Sequence, residues 1–194
     1  LGLDAAGVRV DDRGAVVVDD EMRTSVPHIY AAGDCAAAGP ALVTAAAHAG
    51  AVAAENALNG GGRKVDLRAV PSAVFTDPQV ASVGWREAEA RARGVRVRAE
   101  VLPMSLVPKA LAIRDTRGLV KMVVDDETGR ILGVHWVAPL AADLIHEATL
   151  AVRFGLTVRD VADTIHVYPT LSEALKLVAQ AFTRDVAKLS CCAE

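Results

Sequence analysis

Apolar positions along this chain fall into two rhythms, one of three to four residues and one of two. Leu171, Ala174, Leu175, Val178, Ala181 and Phe182 recur at helical spacing, which predicts a helix with one buried face. Thr170 followed three residues later by Glu173 is a capping-box pattern just ahead of that run, so Thr170 is the expected N-cap, with Pro169 fixing the entry. The stripe ends beyond Val186. Another helix is expected to open at Leu42-Val43-Thr44 and run to about Leu58, closed by Asn59-Gly60-Gly61-Gly62. Arg86 to Arg93, stopped by Gly94, Ala141 to Phe154, and Val158 to Thr164 complete the helical set.

The two-residue rhythm marks the strands. Val8 to Asp19 alternates around Gly14 and predicts a β-hairpin, and Ile29 to Ala32 reads as a short buried strand ending at Gly33. Further strands are expected at Val74 to Pro78 and Val80 to Gly84 around an Asp-Pro turn, and at Val95 to Leu102. Leu119 to Asp125 and Arg130 to Val137 form a hairpin around Asp126-Glu127-Thr128-Gly129. Glycines and charges replace the alanine-rich helix between Arg63 and Val70, which marks a linker. The pattern predicts residues 1–65 as one domain portion, 66–186 as a second domain, and 187–194 as a tail.

Composition narrows the choices. With 194 residues, 52% of them hydrophobic, the chain can bury one complete domain and part of another. A net charge of −3 and 4% aromatic residues offer neither an electrostatic footprint nor a stacking platform for nucleic acid. No apolar run reaches the roughly 18 residues of a membrane span, so no membrane association is expected. Three cysteines, two adjacent, make no disulfide framework, and a reducing, cytoplasmic setting is expected. The opening Leu1-Gly2-Leu3-Asp4 has no charged leader, and the chain reads as cut from something longer.

Two places carry candidate chemistry. Cys191 and Cys192 are neighbours, and a disulfide wants Cα atoms roughly 4.4 to 6.8 Å apart with converging side chains, which a vicinal pair strains. Both sulfurs can instead face one soft metal ion. Asp34 follows Gly33 at the C-terminal edge of an expected strand, where α/β sheets bind cofactors. Cys35 beside it is expected to be a small buried residue, and His48 a packed one.

The segment from Tyr168-Pro169-Thr170 through Glu173 and Phe182 to Lys188-Leu189-Ser190-Cys191-Cys192 resembles the C-terminus of the pyridine nucleotide-disulfide oxidoreductase family, in its mercury-reducing branch. Ser72 to Gly84 and Ile131 to His135 resemble the same family's interface domain, Pro108 to Gly118 its mercury-reducing branch, and Ala32-Gly33-Asp34 its second flavin motif. The resemblance implies an α/β and α+β chain: the C-terminal end of an FAD-binding Rossmann-like domain, then a mixed-sheet dimerisation domain. It implies FAD and NADPH as cofactors, Hg(II) as substrate and a homodimer in which each active site is completed by its neighbour. It assigns Gly33, Asp34, Leu42, Val43 and Thr44 to the flavin. It makes Tyr168, Glu173, Cys191 and Cys192 catalytic, with Tyr168 and the two cysteines as metal ligands.

In the dithiol-oxidising branch a histidine stands where this chain has Tyr168. A phenol with an ordinary pKa near 10 is a poor proton acceptor at neutral pH, whereas a thiolate-bound metal needs ligand exchange and two electrons rather than a base. His166 is a possible substitute base, or a structural histidine, and Glu173 an active-site or a capping residue. The rival readings are a dithiol-oxidising reductase using His166, and a non-catalytic dimerisation and metal-binding module. The chain contains neither a Gly-x-Gly-x-x-Gly loop nor a Cys-x4-Cys pair. Alone it is expected neither to hold FAD firmly nor to turn over.

Overall fold

Contacts in the computed structural model, which describes residues 1–188, separate two compact units, Leu1–Val70 and Pro71–Glu194. The first is organised by a single long helix, α1 (Val43–Asn59), which ends where Gly60 takes a left-handed φ of 82°. Ala49, Val52 and Ala53 of its inner face pack with Met22, Val18 and Tyr30. Asn56, on the same helix and 1% exposed, donates to the carbonyls of Glu21 (2.9 Å) and Arg63 (2.7 Å) and accepts from Arg63 N (3.0 Å). One side chain thereby satisfies two loops that no strand pairs.

The hairpin expected over Val8 to Asp19 is reduced to one bridge, Val10 to Val16, over a turn that Asp11 holds through Arg13 N and Ala15 N. The strand expected at Ile29 to Ala32 is likewise a single bridge, Arg23 to Tyr30, and is half-buried rather than buried. A strand needs a partner along its length, and within this unit Tyr30 finds only Arg23.

The second unit is a five-stranded sheet in the order β1-β2-β5-β4-β3: β1 (Ser72–Val74), β2 (Gln79–Gly84), β3 (Val97–Pro103), β4 (Leu119–Asp125) and β5 (Ile131–Ala138). All four pairings are antiparallel, so the expected mixed sheet is corrected. Short turns join β1 to β2 and β4 to β5, and β3 pairs with its successor β4, so no paired strands are linked by the crossover that parallel strands require.

Register aligns the core in rows. Ala81, Trp136, Val120 and Leu102 lie side by side across four strands, with Val83, Val134 and Met122 in the next row of the same face. All seven are buried. Helix α4 (Ala141–Phe154) packs on β2 and β5, and α6 (Ala174–Gln180) on β3 and β4. Ala90 of α2 (Glu87–Ala92) meets Val97 and Val123, which point to the other face. The unit also contains α3 (Pro108–Ala112) and α5 (Val158–Asp163). Among the described residues no helix is long and apolar enough to cross a membrane.

The last helix differs from the expected one at both ends. Thr170 Oγ1 does accept from Glu173 N at 3.2 Å, yet regular helix begins only at Ala174. Regular helix stops at Gln180, where Phe182 N and Thr183 N take tighter bonds three residues back, to the Ala179 and Gln180 carbonyls, and Arg98 takes the carbonyl of Phe182.

Candidate functional site

In the first unit Gly33 opens a short 3-10 turn, Gly33–Cys35, with φ +78°. A Cβ at this glycine would stand 3.2 Å from the Cβ of Ala46 on α1. Both the left-handed backbone and the close approach of the turn to the helix therefore call for glycine. Asp34, next in line, is exposed. Leu42 is the N-cap of α1 and contributes no side-chain cap, and the first turn holds no acidic residue. Val43 and Thr44 are exposed there.

An uncapped helix N-terminus carries partial positive charge and orphan N–H donors. The five residues expected at a cofactor are thus gathered on the turn and on the helix end it packs against. Cys35 is exposed, not buried, with its thiol directed to the Ala32 carbonyl at 3.4 Å. His48 is also exposed, because its position on α1 falls between the buried Ala45 and Ala49 stripe and solvent.

In the second unit Tyr168 precedes a cis peptide to Pro169 and is 47% exposed. Thr170 Oγ1 donates to the Val167 carbonyl at 2.8 Å, which locks the turn. Glu173 lies half-buried three residues on. Its Oε2 is buried and has no hydrogen-bond partner among the described residues. Burial raises its carboxyl pKa, with the charges of His166 and Lys176 opposing the shift. A backbone hydrogen bond from Thr170 also opposes the shift, so the carboxyl reaches back to Thr170 while Thr170 Oγ1 accepts from Glu173 N, the two halves of the expected capping contact.

His166 is occupied on both sides: Nε2 is 2.8 Å from Glu147 Oε1 on α4, and Nδ1 is 2.9 Å from the Thr164 carbonyl. Its side chain is 7% exposed. Both ring nitrogens are thereby engaged. Glu147 sits 19 positions upstream and had no signal in the chain's local pattern. Cys191 and Cys192 lie outside the described residues. No cluster of three or more histidine, cysteine or carboxylate side chains among the described residues could hold a metal ion.

The first unit thus offers a glycine turn packed on a helix end, and the second a Tyr-Pro-Thr turn in a unit built on an antiparallel sheet. Residues 70–179 match the dimerisation domain of the pyridine nucleotide-disulphide oxidoreductases, and residues 1–50 match a second model, pyridine nucleotide-disulphide oxidoreductase. The chain belongs to that family. It is 51% identical over 193 residues to a mercuric reductase of Shigella flexneri and 50% identical over 193 residues to one of Acidithiobacillus ferrooxidans. Each alignment takes in 100% of this chain but 34% and 35% of the relative. The crystal structure of LpdA from Mycobacterium tuberculosis superposes with a TM-score of 0.83 at 35% identity, covering 95% of this chain and 40% of that one. The chain thus spans about a third of the length of the curated relatives it matches.

Proposed function

We propose that this chain is the C-terminal portion of a homodimeric, NADPH-dependent flavoprotein that reduces Hg(II) to Hg(0). Residues 1–65 form the end of its FAD-binding domain, 66–186 its dimerisation domain, and 187–194 a tail that presents Cys191 and Cys192. When bound, FAD would supply the two-electron redox chemistry between NADPH and the metal. The flavin fits the residues present: Asp34 offers an exposed carboxylate to a sugar-alcohol hydroxyl, and the uncapped start of α1 at Leu42, Val43 and Thr44 favours negative charge beside it. Gly33 keeps that approach free of a side chain.

Cys191 and Cys192 collect Hg(II) from solvent thiols as a bis-thiolate and release it by ligand exchange to an inner cysteine pair outside these 194 residues. Lys188 nearby favours the thiolates. Tyr168 hydrogen-bonds a thiolate or touches the metal during transfer, and Glu173 supports that turn. Two electrons reduce Hg(II) to the neutral metal, and NADPH becomes NADP⁺ with release of a proton.

The observation that carries this reading is Tyr168 itself, together with the sequestration of His166. A neutral phenol stands where a thiol-oxidising enzyme needs a base, and the neighbouring histidine is committed to Glu147 and the Thr164 carbonyl. Similarity to mercuric reductases along the whole chain supports the choice of metal. The test is NADPH-driven release of Hg(0) by the full-length protein in excess competing thiol, with Cys191→Ser and Cys192→Ser combined. Turnover is expected to fall sharply; unchanged turnover removes the delivery role.

A further inference from the structure

The second unit holds a cavity of about 940 Å³ walled by β3, the β4–β5 turn, α5 and α6. That is the size of a small-molecule site rather than of a packing defect. Its lining residues include four cations and three carboxylates, so its character depends on which charges are already spent.

The carboxylates are spent. Asp125 accepts from Glu127 N at 2.8 Å and Thr128 N at 3.1 Å, Asp126 from Arg96 at 3.0 Å, and Asp163 from Arg159 at 3.3 Å. Two of the cations are also committed: Arg159 to Asp163, and Arg98 to the Phe182 carbonyl, with its guanidinium 4.8 Å above the Phe182 ring. Lys176 and Arg184 remain. Among the described residues neither side chain makes a hydrogen bond or an ion pair, although Lys176 lies close enough to Glu173 to oppose its protonation.

Gln180 supplies the third group. It is 6% exposed, lines the cavity, and its side-chain amide has no partner among the described residues. The amide reaches the solvent that fills the cavity rather than being sealed in the core, so its donor is open to a group entering there. Val124, Val158, Ala179 and Phe182 give the same cavity an apolar wall.

We propose that this cavity is a binding site for a small amphiphilic phosphate: a phosphoryl group held by Lys176, Arg184 and the Gln180 amide, and an apolar or aromatic body lying on Phe182 and its neighbours. Two unpaired cations and a neutral donor suit a doubly charged oxyanion, and the apolar wall gives the remainder of the volume a use. The site does not depend on which metal or thiol the protein acts upon.

The test is to titrate the full chain with phenyl phosphate, following its ³¹P resonance, with phenol and inorganic phosphate as the two half-ligands. Saturable binding is expected, tighter than either half-ligand. Combined Lys176→Gln and Arg184→Gln should weaken it by about tenfold or more, and the charge-conserving pair Lys176→Arg and Arg184→Lys should restore most of that loss. Non-saturable behaviour overturns the site. So does a neutralised variant that keeps its unfolding midpoint and binds as before, and equal affinity for inorganic phosphate overturns the apolar half. Should the neutralised variant not fold, the charge-conserving one still decides: loss of saturable binding there, in a folded protein, overturns the proposal.

Discussion

His166 Nε2 lies 2.8 Å from Glu147 Oε1, joining the approach to the Tyr-Pro-Thr turn to α4 across 19 residues of chain. Glu147 is 40% exposed and the histidine ring 7%, so the histidine loses more when the pair is broken. Glu147→Ala leaves a buried ring nitrogen without its partner, and a loss of about 1–3 kcal/mol is expected. Glu147→Gln retains a polar partner and should cost less. Urea unfolding midpoints of the two variants check the order.

Tyr168→His restores a titratable nitrogen beside Glu173, whose Oε2 is buried and without a partner among the described residues. Under the proposed reading, the full-length protein should gain oxidation of a lipoamide-type dithiol by about 100-fold, the lower range of general-base contributions. His166→Ala in the natural background should leave that slow reaction unchanged. A large loss in His166→Ala would instead make His166 the base.

Glu173 has its carboxyl pKa raised, first by burial. The folded state then binds this proton more tightly than the unfolded state, so the group costs stability once pH rises past its unfolded value, and acidification below that value removes the cost. Glu173→Gln should therefore unfold later than the natural chain at neutral pH. The difference should close as pH is lowered towards 4.5, the ordinary carboxyl value. Thermal melts at several pH values read it directly.

Glu87 shows the opposite sign. Lys121 Nζ at 2.7 Å and Arg91 Nη2 at 2.8 Å hold its pKa down from 4.5 to about 2. The folded state binds this proton less tightly, so the stabilisation is present above pH 4.5 and is lost as pH falls towards 2. Glu87 and Lys121 are about one-third exposed and Arg91 is 58% exposed, and solvent screening limits the worth to about 1 kcal/mol. Glu87→Gln should lose that amount at neutral pH and match the natural chain in strong acid.

Gly118 enters β4 with φ +102°, and a Cβ there would run into the Val137 carbonyl of the neighbouring strand. Backbone cannot move aside as a side-chain tip can. Gly118→Ala should cost roughly 3 kcal/mol or more. Gly129, with φ +69° but nothing within 4 Å of its Cβ position, should tolerate alanine at roughly 1 kcal/mol. Chemical denaturation of the pair separates collision from strain.

Much of the fold was legible because it is local. The bounds Ala141 to Phe154 for α4, the hairpin over Asp126 to Gly129, and the helix closed at Gly60 all follow from periodicity and caps read within a few residues. Of the candidate site, the turn at Gly33 and the helix opening at Leu42 were legible for the same reason. The strand at Ile29 to Ala32 and the length of α6 were not, since one depended on a partner strand and the other on Arg98, 84 residues from Phe182.

By itself the chain's order of residues determined most of the helices, the strands of the antiparallel sheet from β2 to β5, and which face of each is apolar, and it singled out the side chains proposed for a flavin and a soft metal. Only the folded molecule decided the strand order β1-β2-β5-β4-β3, the antiparallel pairing throughout, the capture of His166 by Glu147 and the unpaired groups lining the cavity beside Phe182. Periodicity records how one segment divides between core and solvent. It carries no record of which distant segment will meet that face, because that is settled by packing and by the satisfaction of polar groups across the whole unit.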